Sequence, residues 1–175
     1  TRRVVAIQNG KQILNMSASF HVDEDGWSHQ HQMPVVEGPE TLADRSTLRE
    51  AVLNKIAAPH RDEFLRERPI DIREVAPRDF FKPKPADDVN HLWFRMAAAR
   101  GITAQLQHCL LAYASDMNLL GSALRPHGQT WFTGDVMAAS LDHSMWFHRD
   151  FRFDEWTLIA MDSPTAGGAR GFNRG

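Results

Sequence analysis

The stretch ITAQLQHCLLAYASDMNLL, residues Ile102–Leu120, carries the clearest helical pattern in the chain. At about 100° per residue, its large apolar side chains fall in one stripe. The stripe contains Leu106, Leu110, Tyr113, Met117 and Leu120. Gly121 and then Arg125-Pro126-His127-Gly128 are typical of a helix end. We therefore predict one long helix with a single buried face.

The chain after this helix has the pattern of strands. Val136–Phe147 alternates apolar and polar residues, and Trp156–Asp162 predicts a second strand. Ser163-Pro164 and Gly167-Gly168 indicate a turn before a last strand, which begins in ARGFNRG.

The chain before the helix begins with a predicted hairpin. Strands over Val4–Gln8 and Lys11–His21 are joined by Asn9-Gly10, a pair that favours a type I′ turn. Apolar residues alternate along the second strand, which predicts one buried face. They are Leu14, Met16, Ala18 and Phe20.

The middle of the chain is less regular. Residues 22–45 lack any period and predict a loop, after which Asp44 or Ser46 is expected to cap a helix over Thr47–Ala57. Short strands are predicted over Ile70–Val75 and His91–Met96. Strands grouped before and after one helix predict an α+β fold with antiparallel pairing.

Composition narrows the class of function. The 175 residues are 42% hydrophobic and 24% charged, with a formal net charge of -2. This balance is that of a globular protein and argues against nucleic acid as the main partner. The one cysteine, Cys109, excludes a disulfide framework within the chain. No apolar run approaches the ~20 residues of a membrane span.

Asp116 and Ser140 each have two interpretations. Asp116 lies at the edge of the predicted buried face, either as a general base tuned by partial burial or as a residue that reaches water. Ser140 is either catalytic or a strand hydroxyl with a local hydrogen bond. A dyad with His143 is disfavoured, because strand residues three apart face opposite ways.

Other site classes have weak support. No histidine spacing matches a zinc signature, so no metal site is predicted. Phosphate-binding glycine motifs are absent, although Arg170 and Arg174 would either meet a phosphate or pair with carboxylates. Five aromatic residues are expected either in the core or in the wall of an apolar pocket. They are Trp146, Phe147, Phe151, Phe153 and Trp156.

Three motifs resemble the type II acyl-CoA thioesterases: LLAYASDMNLLGSALRPHG (110–128), SLDHSMWFHRDFRFDEW (140–156) and DSPTAGGARGFNRG (162–175). The resemblance implies part of a double hot-dog, in which each half wraps an antiparallel sheet around a long helix. Residues 1–21 would be the C-terminal strands of the first half, 22–69 a linker with a short helix, and 70–175 the second half. Further strands of both halves are expected outside the sequence.

The resemblance also implies hydrolysis of acyl-CoA to a free fatty acid and coenzyme A. The aspartate in YASDMN matches Asp116, and the hydroxyl residue before LDHSMW matches Ser140. Asp116 would activate a water that Ser140 and a Gln, expected beyond Gly175, hold in place. No metal or cofactor is required.

Further expectations follow from this resemblance. They are self-association into a homo-oligomer and a cytoplasmic location, or a peroxisomal one in a eukaryote. The alternatives are a non-catalytic acyl-CoA-binding protein or an inactive fragment, and a hot-dog dehydratase acting on enoyl-CoA.

Overall fold

The computed structural model describes residues 1–58, 61–133 and 136–175. Its internal contacts divide the chain into two compact units, Thr1–Met33 and Pro34–Gly175. The first unit holds one hairpin, and the second holds a four-stranded sheet with helices.

The hairpin of the first unit pairs β1 (Arg2–Gln8) antiparallel with β2 (Lys11–Ala18). Asn9 and Gly10 both have positive φ, 50° and 72°, as the predicted type I′ turn requires. The prediction of a buried face was wrong, since Leu14 is 53% exposed and Phe20 77%. A two-stranded ribbon has no second layer of its own against which to bury one face.

The second unit begins with a loop and a short capped helix. Asp44 caps α1 (Arg45–Glu50), because its carboxylate accepts a hydrogen bond from the Thr47 backbone N–H. The predicted helix to Ala57 is interrupted, and Leu53–Lys55 forms a 3₁₀ turn. Val52, just before that turn, is β-branched and has low helix propensity. A second short helix, α2, spans Arg61–Leu65.

Four antiparallel strands form the sheet, in the order β3-β4-β5-β6. Two predicted strands are confirmed as β3 (Asp71–Glu74) and β4 (Asn90–Arg95), and the predicted strand at Trp156–Asp162 is confirmed within β5. The other two strands of the sheet are β5 (Thr157–Gly167) and β6 (Arg170–Arg174).

The predicted turn before the last strand is present at Gly168, but Ser163-Pro164 does not belong to it. β5 continues through Ser163-Pro164, and the ladder is irregular between Asp162 and Thr165. A bulge of this kind accommodates proline within a strand. The chain reverses instead at Gly168 and Ala169, whose φ angles are 56° and 58°.

The long helix, α3, spans Ala104–Ser115 and is shorter than predicted. Thr103 caps its start, and Asp116 is its C-cap residue. Asn118 then adopts a φ of 66°, the left-handed conformation that asparagine tolerates better than other residues with a Cβ. Gly121, which was predicted to end the helix, begins the short helix α4 (Gly121–Leu124).

The core lies between α3 and the sheet. Leu92, Phe94 and Met161 from the sheet and Ala114 from α3 are at most 2% exposed. The predicted apolar stripe of α3 was wrong in part, because Leu106 is 52% and Tyr113 53% exposed. The helix turns Gln107 inward instead.

Gln107 is tolerated in the core because both ends of its amide are hydrogen-bonded. Nε2 donates to Ala99 O at 3.0 Å, and Oε1 accepts from Phe153 N at 2.9 Å. The helix therefore connects the chain before α3 with the chain before β5. The α+β prediction is confirmed, and this helix against an antiparallel sheet is a partial hot-dog.

The predicted strand over Val136–Phe147 was wrong. Residues 136–150 form no strand, and Met137, Leu141 and Trp146 are 100%, 85% and 75% exposed. Alternating hydrophobicity produces a strand only where a neighbour supplies the ladder of hydrogen bonds. Side-chain contacts with the end of α3 hold this segment instead.

Candidate functional site

Asp116 and Ser140 lie next to each other. Ser140 Oγ donates a hydrogen bond to Asp116 Oδ1 at 3.1 Å. Asp116 occupies the C-cap position of α3, and Ser140 lies in the segment without helix or strand that follows α4. The structure thus brings together the two residues singled out from the sequence.

Both residues are exposed. Of the two interpretations of Asp116, its position fits the one in which it reaches water, because the buried face of α3 is centred on Gln107 and Ala114 and not on the stripe beginning at Leu106. A carboxylate has two oxygens with about four acceptor positions. One bond from Ser140 therefore leaves Asp116 with the capacity to accept hydrogen bonds from a water molecule.

Ser115, one residue before Asp116, contacts the segment that contains Ser140 at two further residues. Ser115 Oγ lies 2.9 Å from His143 Nε2, 2.8 Å from Ala112 O and 3.2 Å from Met145 Sδ. Ser115 Oγ donates to Ala112 O. The hydroxyl has a single proton, so the donor in the contact with His143 Nε2 is set by the tautomer of the imidazole.

Ser115 had no sequence signal. A serine in the last turn of a helix commonly bonds back to a carbonyl three or four residues earlier, and Ser115 does so to Ala112. Only the fold shows that the same oxygen also meets His143. The two serines therefore have different partners, Ser140 with Asp116 and Ser115 with His143.

Aromatic residues pack beside this pair of contacts. The His108 ring on α3 lies 4.8 Å from the Phe147 ring and 5.8 Å from the Phe151 ring, between ring centroids. Asp150 Oδ1 is 3.5 Å from His108 Nε2. The chain from Ser140 to Phe151 is thus attached to α3 at three successive points.

The other predicted aromatic residues divide between core and surface. Phe153 is fully buried, whereas Trp146 is 75% exposed. Trp156 donates from Nε1 to Glu40 Oε1 at 2.9 Å, and the Arg95 guanidinium lies 4.3 Å from its ring centroid. Trp156 thus connects the loop before α1 to the sheet.

Arg174 pairs with a carboxylate. Its Nε and Nη2 donate to the two oxygens of Asp162 at 2.7 and 2.9 Å. These hydrogen bonds from Arg174 lower the pKa of Asp162 below its ordinary value. Of the two interpretations that the sequence left open for Arg174, phosphate binding or pairing with a carboxylate, the structure therefore shows the pairing.

Within residues 1–58, 61–133 and 136–175, no three or more His, Cys, Asp or Glu side chains are arranged to hold a metal ion. None of the helices in those ranges has both the length and the apolar composition of a membrane span.

Comparison with known proteins identifies similar chains. Residues 59–175 match the family described as acyl-CoA thioesterase. The chain is 34% identical over 172 residues to acyl-CoA thioesterase 2 of Haemophilus influenzae, covering 98% of this chain and 60% of that protein. It is 37% identical over 189 residues to human acyl-coenzyme A thioesterase 8, covering 99% and 56%.

A solved structure is similar in fold as well as sequence. The crystal structure of the acyl-CoA thioesterase II TesB2 from Mycobacterium marinum superposes with a TM-score of 0.73 at 38% identity. The match covers 98% of this chain and 58% of that one. This chain therefore spans somewhat under two thirds of the length of these relatives.

Proposed function

The chain belongs to the acyl-CoA thioesterase family, and on that basis we propose that the protein hydrolyses acyl-CoA thioesters to a free fatty acid and coenzyme A. The observation that carries the proposal is the 3.1 Å hydrogen bond from Ser140 Oγ to Asp116 Oδ1. It joins an acid and an alcohol that are 24 residues apart in the chain.

Asp116 acts as the general base in this proposal. A thioester carbonyl is reactive enough for water to attack it directly. Asp116 accepts one proton from the water as the oxygen adds to the carbonyl carbon. The carbon–sulfur bond then breaks, and the proton held by Asp116 neutralises the departing thiolate.

Ser140 acts as a positioning group. Its hydroxyl donates to one carboxylate oxygen, and its own oxygen remains able to accept from the attacking water. Fixing the water and the base before reaction lowers the entropic part of the barrier. A serine nucleophile is disfavoured, because Ser140 contacts a carboxylate directly, without an intervening imidazole base.

The proposal extends to the domain organisation, the oligomeric state and the cellular location of the protein. Residues 1–21 belong to a first hot-dog half, 22–69 to a linker and 70–175 to a second half. The β1–β2 hairpin and the unit in which α3 packs on the sheet are consistent with this division.

We also propose that the protein self-associates into a homo-oligomer, which light scattering tests. Its proposed location is the cytoplasm, or the peroxisome in a eukaryote, which cell fractionation tests.

Hydrolysis is tested by measuring free thiol release from saturated acyl-CoA substrates of increasing chain length with the complete protein. Release above the rate without protein is expected. Binding of acyl-CoA without thiol release would replace hydrolysis with the non-catalytic alternative. Hydration of enoyl-CoA without thiol release would indicate a dehydratase.

A further inference from the structure

A cavity of about 110 Å³ lies inside the second unit. It is bounded by the start of α1, the end of β3 and the turns on either side of α4. Apolar side chains form the larger part of its wall, and charged and amide side chains lie among them. The charged and amide ones are Arg45, Glu74, Arg78, Asn90, Asn118, Arg125 and Gln129.

The described wall of the cavity carries an excess of positive charge. Three guanidinium groups face one carboxylate, that of Glu74, which leaves two positive charges in excess. Arg45 Nε is 3.6 Å from Glu74 Oε1, so the single carboxylate is already engaged with one of the three. Asp87 and Asp88 act on Arg125 from outside the described wall.

Two of the arginines, Arg78 and Arg125, are held in place through uncharged backbone carbonyls. Arg125 Nε donates to Asp87 O at 2.9 Å, and Arg78 Nη2 donates to Gln129 O at 3.4 Å. Burial is the main cause that lowers the pKa of all three guanidinium groups, Arg45, Arg78 and Arg125. Because arginine keeps its charge in proteins, such burial is unfavourable unless an anion compensates it.

Hydrogen-bond donors at this cavity lack acceptors. Arg78 Nη1 and Asn118 Nδ2 are buried and have no hydrogen-bond partner among the described residues. The orientation of the Asn118 amide is fixed, since its Oδ1 accepts from Arg45 Nη2 at 2.8 Å. Its backbone is held at a φ of 66°, a conformation that costs an asparagine some free energy.

We propose that this cavity binds a phosphate group, either free or carried by coenzyme A. Planar guanidinium forks match phosphate oxygens, and three of them supply more donors than the two oxygens of a carboxylate can accept. A phosphate monoester carries about −1.5 to −2 charges at pH 7, and its oxygens would accept hydrogen bonds from the unpaired donors of Arg78 and Asn118.

Binding of the phosphate of coenzyme A at this cavity rests on the proposed function, whereas binding of free phosphate does not. Asn118 is two residues after Asp116, so one turn of chain connects the cavity to the acid of the hydrolytic site. Free phosphate would bind here whether or not Asp116 is the acid of the hydrolytic site.

Calorimetric titration of the complete protein with inorganic phosphate, at ionic strength kept constant with chloride, tests the site. Arg78→Gln is expected to weaken binding about tenfold or more. Asn118→Gly is the second variant, since glycine adopts the positive φ without strain and the fold is retained. Arg100→Gln is the control, because Arg100 has an 83% exposed side chain and does not line the cavity.

Separate titrations with coenzyme A, phosphate-free pantetheine and acetate distinguish the sources. Weakening of coenzyme A binding alone by Arg78→Gln and Asn118→Gly assigns the cavity to the carried phosphate, and weakening of both ligands assigns it to phosphate in general. The proposal would be overturned if Arg78→Gln and Asn118→Gly bound both phosphate and coenzyme A as tightly as Arg100→Gln does. It would also be overturned if the protein bound acetate as tightly as phosphate. Thiol release is not needed for these readouts, so failure of the hydrolytic function is seen separately.

Discussion

Ser140 Oγ donates to Asp116 Oδ1 at 3.1 Å, although Ser140 lies in a segment with no strand partner in the described structure. The segment is positioned by side chains of α3 and not by a β-ladder. Asp116 at the helix end and Ser115 beside it hold Ser140 and His143, respectively. The geometry of the site thus depends on a few side-chain hydrogen bonds.

Asp116→Asn should lower turnover about 100-fold or more, because the amide keeps the shape of the carboxylate and cannot take a proton. Thiol release under saturating substrate measures this effect. The midpoint of thermal unfolding should stay close to that of the wild type, since Asp116 is exposed. Asp142→Asn, a nearby exposed carboxylate, is the matched control, and unchanged turnover in Asp116→Asn would remove Asp116 from the mechanism.

Ser140→Ala should lower kcat by about tenfold and leave KM nearly unchanged, as expected for a group that positions water without binding substrate. Steady-state kinetics with one acyl-CoA substrate separates the two constants. Ser140→Thr keeps the hydroxyl and should restore most of kcat. An effect confined to KM would assign Ser140 to substrate binding instead.

Ser115→Ala should lower kcat several-fold without touching the reacting groups, because it removes the anchor of His143 and Met145. A double-mutant cycle with Ser140→Ala is the decisive measurement, since residues that act through one another give non-additive effects. In that cycle, Ser115→Ala should cost little once Ser140 is already alanine. Full additivity would mean that Ser115 does not position Ser140.

Much of the fold was predictable from local pattern. The Asn9-Gly10 turn, the Asp44 cap and the strands at β3 and β4 each depend on neighbouring residues. Their conformational preferences act over a few residues, so one sequence is enough to reveal them.

Three features depended on distant partners and were not predictable from local pattern. Gln107 is buried because the Phe153 N–H, 46 residues away, donates to it. The Val136–Phe147 pattern lacks a neighbouring strand, which no local rule can detect. The proximity of Asp116 and Ser140 was expected through family resemblance alone, since their residue types and spacing also fitted ordinary surface positions.

Gln107→Leu should lower the free energy of unfolding by about 2 kcal/mol or more. The leucine would leave the buried Phe153 N–H and Ala99 C=O without the partners that Gln107 supplies. Urea denaturation measures the change. Gln105→Leu makes the same substitution at an exposed position of α3 and should have little effect; equal losses in both variants would show that the amide bonds are not the cause.

The Asp162–Arg174 pair should make stability depend on pH in a defined direction. Arg174 lowers the pKa of Asp162 in the folded state below the ordinary value of 3.8, so the unfolded state takes up this proton more readily. The stabilisation is therefore complete above pH 3.8 and is lost as the pH falls through the lower, folded-state pKa. Urea midpoints of the wild type and Asp162→Asn should differ at pH 7 and converge progressively below pH 3.8. A difference that stays constant to pH 2.5 would mean that the charge of Asp162 does not contribute to pairing β5 with β6.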